Sequence, residues 1–169
     1  MVATLPNWQA TLALALTLTA HPSPALSSPI TISADICSRA ALIEAADAYV
    51  ASQAAGSLSA TLSKSLATPW TYEENNKVID LSKGVLSKPL KIDSRRTIAD
   101  TTACASFTEL IVADAASPYV IGTQIRHNSS SPTLAITLID TVASTTGAWL
   151  FDAKKTLDYA KQQKWDPIP

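Results

Sequence analysis

Three runs dense in β-branched and aromatic residues dominate the second half of the chain. Cys104 to Asp114 and Pro118 to His127 flank a Ser-Pro turn signal, and such composition favours an antiparallel pair of strands. A third run, Thr133 to Ala143, completes a meander. Strand alternation then sets a register. If Cys104 points inward, Ser106, Thr108, Leu110 and Val112 share its face, while Phe107, Glu109 and Ile111 point the other way. In the third run the same rule groups Leu134, Ile136, Leu138, Asp140 and Val142 on one face.

Ahead of the meander the period lengthens from that of a strand to that of a helix. Leu42, Ala45, Ala46, Tyr49 and Gln53 recur at three- and four-residue spacing, which predicts a helix capped at Ser33 or Asp35, running through Cys37 and stopping at Gly56. Its small apolar face suits close packing on a sheet. Ser57 to Leu66 reads as a shorter helical turn that ends before Pro69. Trp70 to Glu74 and Val78 to Leu81 form a predicted hairpin turning at Asn75-Asn76-Lys77. From Gly84 to Arg96 the reading is an irregular link, with Pro89 limiting any helix. A last helix starts at an Asp152 cap, carries Leu157, Ala160 and Lys164 on one face and closes at Pro167. Helix, hairpin, meander and helix is an α+β order. Its simplest packing is an N-terminal helix on a curved antiparallel sheet, followed by a C-terminal helix.

Composition changes this picture at the amino terminus. No Lys, Arg, Asp or Glu occurs from Met1 to Ala34, and Ala10 to Ala20 is an apolar run of secretory length, broken by Pro22, Pro24 and small residues. The reading is a signal peptide over residues 1–27, a single domain over 28–169 and a secreted, extracellular protein. A disordered or strand-forming leader is the alternative. The full chain of 169 residues, 47% hydrophobic and 16% charged, fits one domain with a modest core. The net charge of -1 and scattered basic residues give no footprint for nucleic acid or an anionic membrane surface. Cys37 and Cys104 survive cleavage, and outside the cytosol an even pair is most simply a disulfide; two buried thiols remain the alternative if the leader is no signal. Asn128-Ser129-Ser130 is a glycosylation acceptor where the second strand ends.

Cys37-Ser-Arg-Ala-Ala-Leu42, Tyr72-Glu-Glu-Asn75, Leu86 to Asp93, Asp100 to Cys104, Phe107 to Val112, Pro118 to Arg126 and Trp149-Leu-Phe151 together resemble a secreted fungal domain family of unknown function. That family looks like a member of the nuclear-transport-factor-2-like superfamily, which includes ketosteroid-isomerase-like and SnoaL-like proteins. The resemblance implies a cone-shaped pocket between helix and sheet. Family members continue past the Lys164 to Pro169 segment into a second, related half, and carry an acidic residue where this chain has Ala148. The expectation from these departures is a lost pocket wall, or a surface recovered by forming a homodimer.

The inventory of reactive groups narrows the chemistry. His127 is the one histidine after the leader, beside the glycosylation triplet, and reads as a surface residue. No metal site built from several His and Cys is available, and Gly56, Gly84, Gly122 and Gly147 stand too far apart for a phosphate-cradling loop. No cofactor is expected. What remains is a carboxylate in an apolar pocket, the arrangement of ketosteroid-isomerase-type acid-base catalysis. Asp140, the acid on an otherwise apolar stripe, is the candidate general acid or base, with Arg126, Arg95 or Tyr72 as partners; the alternative is a structural ion pair or a strand end. Trp70, Thr108, Tyr119 and Trp149 are candidate pocket residues, though aromatics at such positions also serve as plain core. Two functions follow: binding or isomerising an apolar small metabolite, or a non-catalytic secreted interaction module.

Overall fold

The computed structural model describes residues 36–148 and 150–164. The expected signal peptide, the cap positions Ser33 and Asp35, Trp149 and Pro167 lie outside the described residues. The first helix, α1, spans Arg39–Ala55. Its cap is Ser38, whose Oγ accepts from the Ala41 amide at 3.3 Å, so the helix starts just past Cys37 rather than ahead of it. Gly56 ends it in the left-handed region, at φ 64°. A short α2, Ala60–Ser65, is capped by Ser59.

β1, Leu66–Glu74, and β2, Lys77–Val78, pair antiparallel around Asn75 and Asn76. Both asparagines have positive φ, 52° and 62°, the backbone that a two-residue hairpin loop matched to the strand twist requires. The turn is thus one residue tighter than the predicted Asn-Asn-Lys. The link after it holds two single-turn helices, Leu81–Lys83 and Val85–Ser87, and then a strand, β3, Ser94–Asp100, whose first three residues fall in the expected irregular link. β4, Ala105–Val112, β5, Tyr119–His127, and β6, Ile136–Thr145, form the meander. α3, Ala153–Gln162, begins at Asp152, whose Oδ1 accepts from the Lys155 amide at 2.9 Å.

Among the described residues the sheet has six strands in the order β2-β1-β6-β5-β4-β3. The fold is α+β, as expected, but the sheet is mixed: β1 runs parallel to β6, while every other pair is antiparallel. α1 packs on β3 and β4, and α3 on β4 and β5. The disulfide joins Cys37, next to the α1 cap, to Cys104, in the turn before β4.

The predicted register holds in β4 and fails in β6. Ser106, Thr108, Leu110 and Val112 are buried, while Phe107 is 43% exposed. Ile111 alternates with the buried row yet is itself fully buried, consistent with α3 packing on β4 and β5. In β6 a register shift opposite Arg126 and His127 inserts an extra residue after Ile136. One extra residue turns every following side chain to the other face. Ile136, Ile139 and Thr141 are therefore the buried positions, and Val142 is 54% exposed. Leu134 lies ahead of the strand, with φ 50°.

Candidate functional site

The bulge in β6 decides where the expected catalytic residues go. Asp140 alternates with buried Ile139 and Thr141, so it sits on the open face, opposite Glu73 of β1 and Gln124 of β5. It does not lie on an apolar inward stripe. Arg126 is exposed on the same open face, its Nε donating to Gln124 Oε1 at 2.8 Å. Tyr72 is buried on the other side of the sheet. The three candidates are thus divided by the sheet and share no site. Arg95 is tied to α1 instead, its Nη2 donating to Asp47 Oδ1 at 2.5 Å, with both side chains about half exposed. A pair this solvated contributes about 1 kcal/mol at most.

The inner face carries a polar network that pattern reading largely missed. Tyr49 of α1 is fully buried and its hydroxyl lies 2.6 Å from Thr123 Oγ1, which lies 3.0 Å from Thr141 Oγ1. Tyr72 donates to Glu74 Oε2 at 2.9 Å, and the Val85 amide donates to the same oxygen at 2.6 Å. Gln53 Nε2 donates to the carbonyls of Val85 and Lys88, at 2.9 and 3.1 Å. Lys88 Nζ donates to the Tyr119 hydroxyl at 3.0 Å and lies 5.6 Å from that ring's centroid. Side chains from α1, β1 and β5 therefore hold the 84–88 segment down on the sheet. Gly84 allows the approach, since a Cβ there would stand 2.5 Å from Tyr72 Cε1.

Electrostatics make these groups fixtures rather than proton carriers at neutral pH. Burial pushes the Tyr49 phenol up to about 12. Burial, and then the Glu74 charge, push the Tyr72 phenol up further. The hydrogen bond to Tyr119 raises the Lys88 ammonium above its ordinary value. Both buried phenols stay protonated, and Glu74 and exposed Lys88 each have a hydrogen-bond partner, while Gln53 Oε1 is buried without one. Of the expected pocket residues, Tyr119 belongs to this network and Trp70 is half-buried against the core. Thr108 is buried elsewhere on the inner face, 3.1 Å from Thr97 Oγ1. The sequence signal for the network was Tyr49 and Gln53, two polar groups four residues apart on an apolar helical face.

Tyr49→Phe tests how far the network holds the helix down. The change removes one buried hydrogen bond but leaves Thr123 bonded to Thr141. Expected is a loss of about 1 kcal/mol in urea unfolding, with the helical circular dichroism signal unchanged.

Four concavities among the described residues have other linings. One, of about 480 Å³, lies between α1, α2 and the loop ahead of β6, against Ala41, Glu44, Ala45, Thr61 and Leu134. Another, about 300 Å³, lies beside Ile98, Phe107 and Gln124. The remaining two adjoin Asp93 and Ala153. Asp140, Arg126, Tyr72, Trp70, Thr108 and Tyr119 line none of these four. Among the described residues no group of three or more His, Cys, Asp or Glu is placed to hold a metal ion, and no helix is long and apolar enough to cross a membrane.

His127 is not the surface residue that its neighbours suggested. Alternation along β5 turns it inward with Ile121, Thr123 and Ile125, and it is 8% exposed. Asn128, the next residue, is exposed, with Oδ1 accepting from the Ser130 amide at 2.9 Å. Comparison with protein-family models, curated proteins and solved structures finds no match to this chain.

Proposed function

We propose that this chain is an exported, non-catalytic interaction module of nuclear-transport-factor-2-like architecture. Its disulfide-clamped interior is scaffold, and its open sheet face meets the partner. The observation that carries the reading is Tyr49, fully buried between α1 and the sheet, where the resemblance to ketosteroid-isomerase-like proteins implies a pocket. Asp140 and Arg126, the groups that resemblance would recruit for proton transfer, stand on the opposite face. That face also exposes Phe107, Val142 and, at 40%, Ile98. Apolar side chains exposed on a sheet favour a protein partner or a second copy of the chain. The disulfide favours an oxidising compartment, and exposed Asn128 is open to glycosylation there.

A second reading rests on the groove between α1 and α2. At about 480 Å³ it falls within the range of small-molecule sites, so an apolar metabolite is the alternative occupant. One experiment separates the two. The purified protein is incubated with apolar ketones and a metabolite extract, and mass spectrometry of the native complex and of the small molecules follows. The interaction-module reading expects neither a retained ligand nor a converted ketone. Conversion lost in Asp140→Asn would replace it with an enzyme, and a ligand displaced by Ala45→Phe would replace it with the metabolite binder.

A further inference from the structure

His127 closes β5 with its imidazole buried. Its backbone amide donates to the Cys104 carbonyl at 3.1 Å, and its Nδ1 lies 2.9 Å from the Leu134 carbonyl oxygen. A carbonyl only accepts, so Nδ1 carries the proton and Nε2 presents a bare lone pair. That Nε2 is buried and makes no hydrogen bond. The ring thereby ties the end of β5 to the 128–135 loop, whose neck is closed by the Asn128 amide donating to Ala135 O at 2.9 Å. Pro132, Thr133 and Leu134 of that loop form one wall of the 480 Å³ groove.

Protonation keeps the bond to Leu134 and adds two things: a positive charge, and a second N–H at Nε2. Among the described residues nothing bonds Nε2. Ahead of β4 stands Cys104, locked in its disulfide, and on β4 Ser106, whose buried Oγ is uncharged, has no partner and does not bond the ring. On β6 the residue opposite is Ile136. Residues 128–135 include no charged side chain. The charged side chains of the helices above, Arg39, Glu44 and Asp47 on α1 and Lys64 on α2, are exposed. Burial and the Leu134 carbonyl are the influences acting on the ring; burial is the larger and holds its pKa below 6.5. A buried charge without a partner is costly, and the nearest relief is for ring and loop to lift together into water.

We propose that His127 is an acid-operated latch: uptake of a proton at Nε2 unseats the 128–135 loop and opens the groove that the loop walls. The sign follows from burial. The unfolded ring accepts a proton before the folded one, so the latch contributes its stability above pH 6.5 and loses it as the pH falls below that value. The test is hydrogen exchange on the full, oxidised chain at pH 7.5, 6.0 and 4.5, corrected for the intrinsic pH dependence of exchange. Protection of the Asn128 amide should fall at least tenfold between pH 7.5 and 4.5, while the Ile121 and Ile125 amides hold theirs. In His127→Gln, whose amide can still donate to Leu134, the loop should show no such step. Invariant protection in the unaltered chain, including the case where Ser106 accepts the new N–H, would overturn the proposal. So would an equal fall in the variant. If the variant fails to fold, a nuclear magnetic resonance titration of the ring decides, since a pKa at or above 6.5 excludes the latch.

Discussion

Gly56→Ala should lower the free energy of unfolding by about 3 kcal/mol, read as a shifted midpoint in urea. Two penalties combine. The residue sits at φ 64°, where a side chain costs about 1–2 kcal/mol. A Cβ would also stand 2.3 Å from Pro89 N, 2.6 Å from Pro89 Cδ and 2.7 Å from Lys88 C. These are backbone and ring atoms that cannot rotate away, and overpacking of this kind adds about 1–3 kcal/mol. Nor can the 85–89 segment retreat freely, because Gln53 holds the Val85 and Lys88 carbonyls. Gly147→Ala is the control. Its φ is 95°, but nothing stands within 4 Å of the added carbon, so only the backbone penalty of about 1–2 kcal/mol applies. Equal losses at the two positions would mean that the Gly56 contact with Pro89 carries no weight.

What the pattern of residues reveals here depends on how local the determining interaction is. α3 follows from periodicity and its Asp152 cap, α1 from periodicity and its Gly56 stop though it starts after Ser38 rather than at Ser33 or Asp35, and β4 and β5 from strand alternation. The expected irregular link, Gly84 to Arg96, takes in the first three residues of β3, because Ser94-Arg-Arg-Thr-Ile-Ala-Asp100 holds only Ile98 and Ala99 as apolar residues. An edge strand with a charged rim looks like a loop until its neighbour is known. The parallel pairing of β1 with β6 joins elements far apart in the chain, and neither strand's composition encodes it. Asp140 is displaced by a single residue: a bulge after Ile136 has no local signature here, yet it puts Asp140 on the outer face where alternation predicts the inner one. His127 was judged by the polar triplet after it, whereas the alternation of its own strand, Ile121, Thr123 and Ile125, predicts burial.

Replacing both Cys37 and Cys104 with alanine should cost about 4 kcal/mol. The bridged residues are 67 apart in sequence, and loop closure of that length removes about that much entropy from the unfolded chain. Against a typical total of about 5–15 kcal/mol for a whole domain, this is the largest single contribution expected here. A local effect adds to it. Cys37 adjoins the Ser38 cap of α1, and the Cys104 carbonyl accepts the His127 amide, so the unbridged chain loses restraint at the helix start and at the end of β5 together. Chemical denaturation of three samples separates the terms: oxidised, reduced, and the double variant. The reduced protein and the double variant should share a midpoint well below that of the oxidised chain, with circular dichroism showing the helices still formed before the transition. If reduction leaves the midpoint in place, the unfolded chain is already compact enough that the bridge restrains nothing. The case for a compartment that keeps the pair oxidised would then lose its energetic basis.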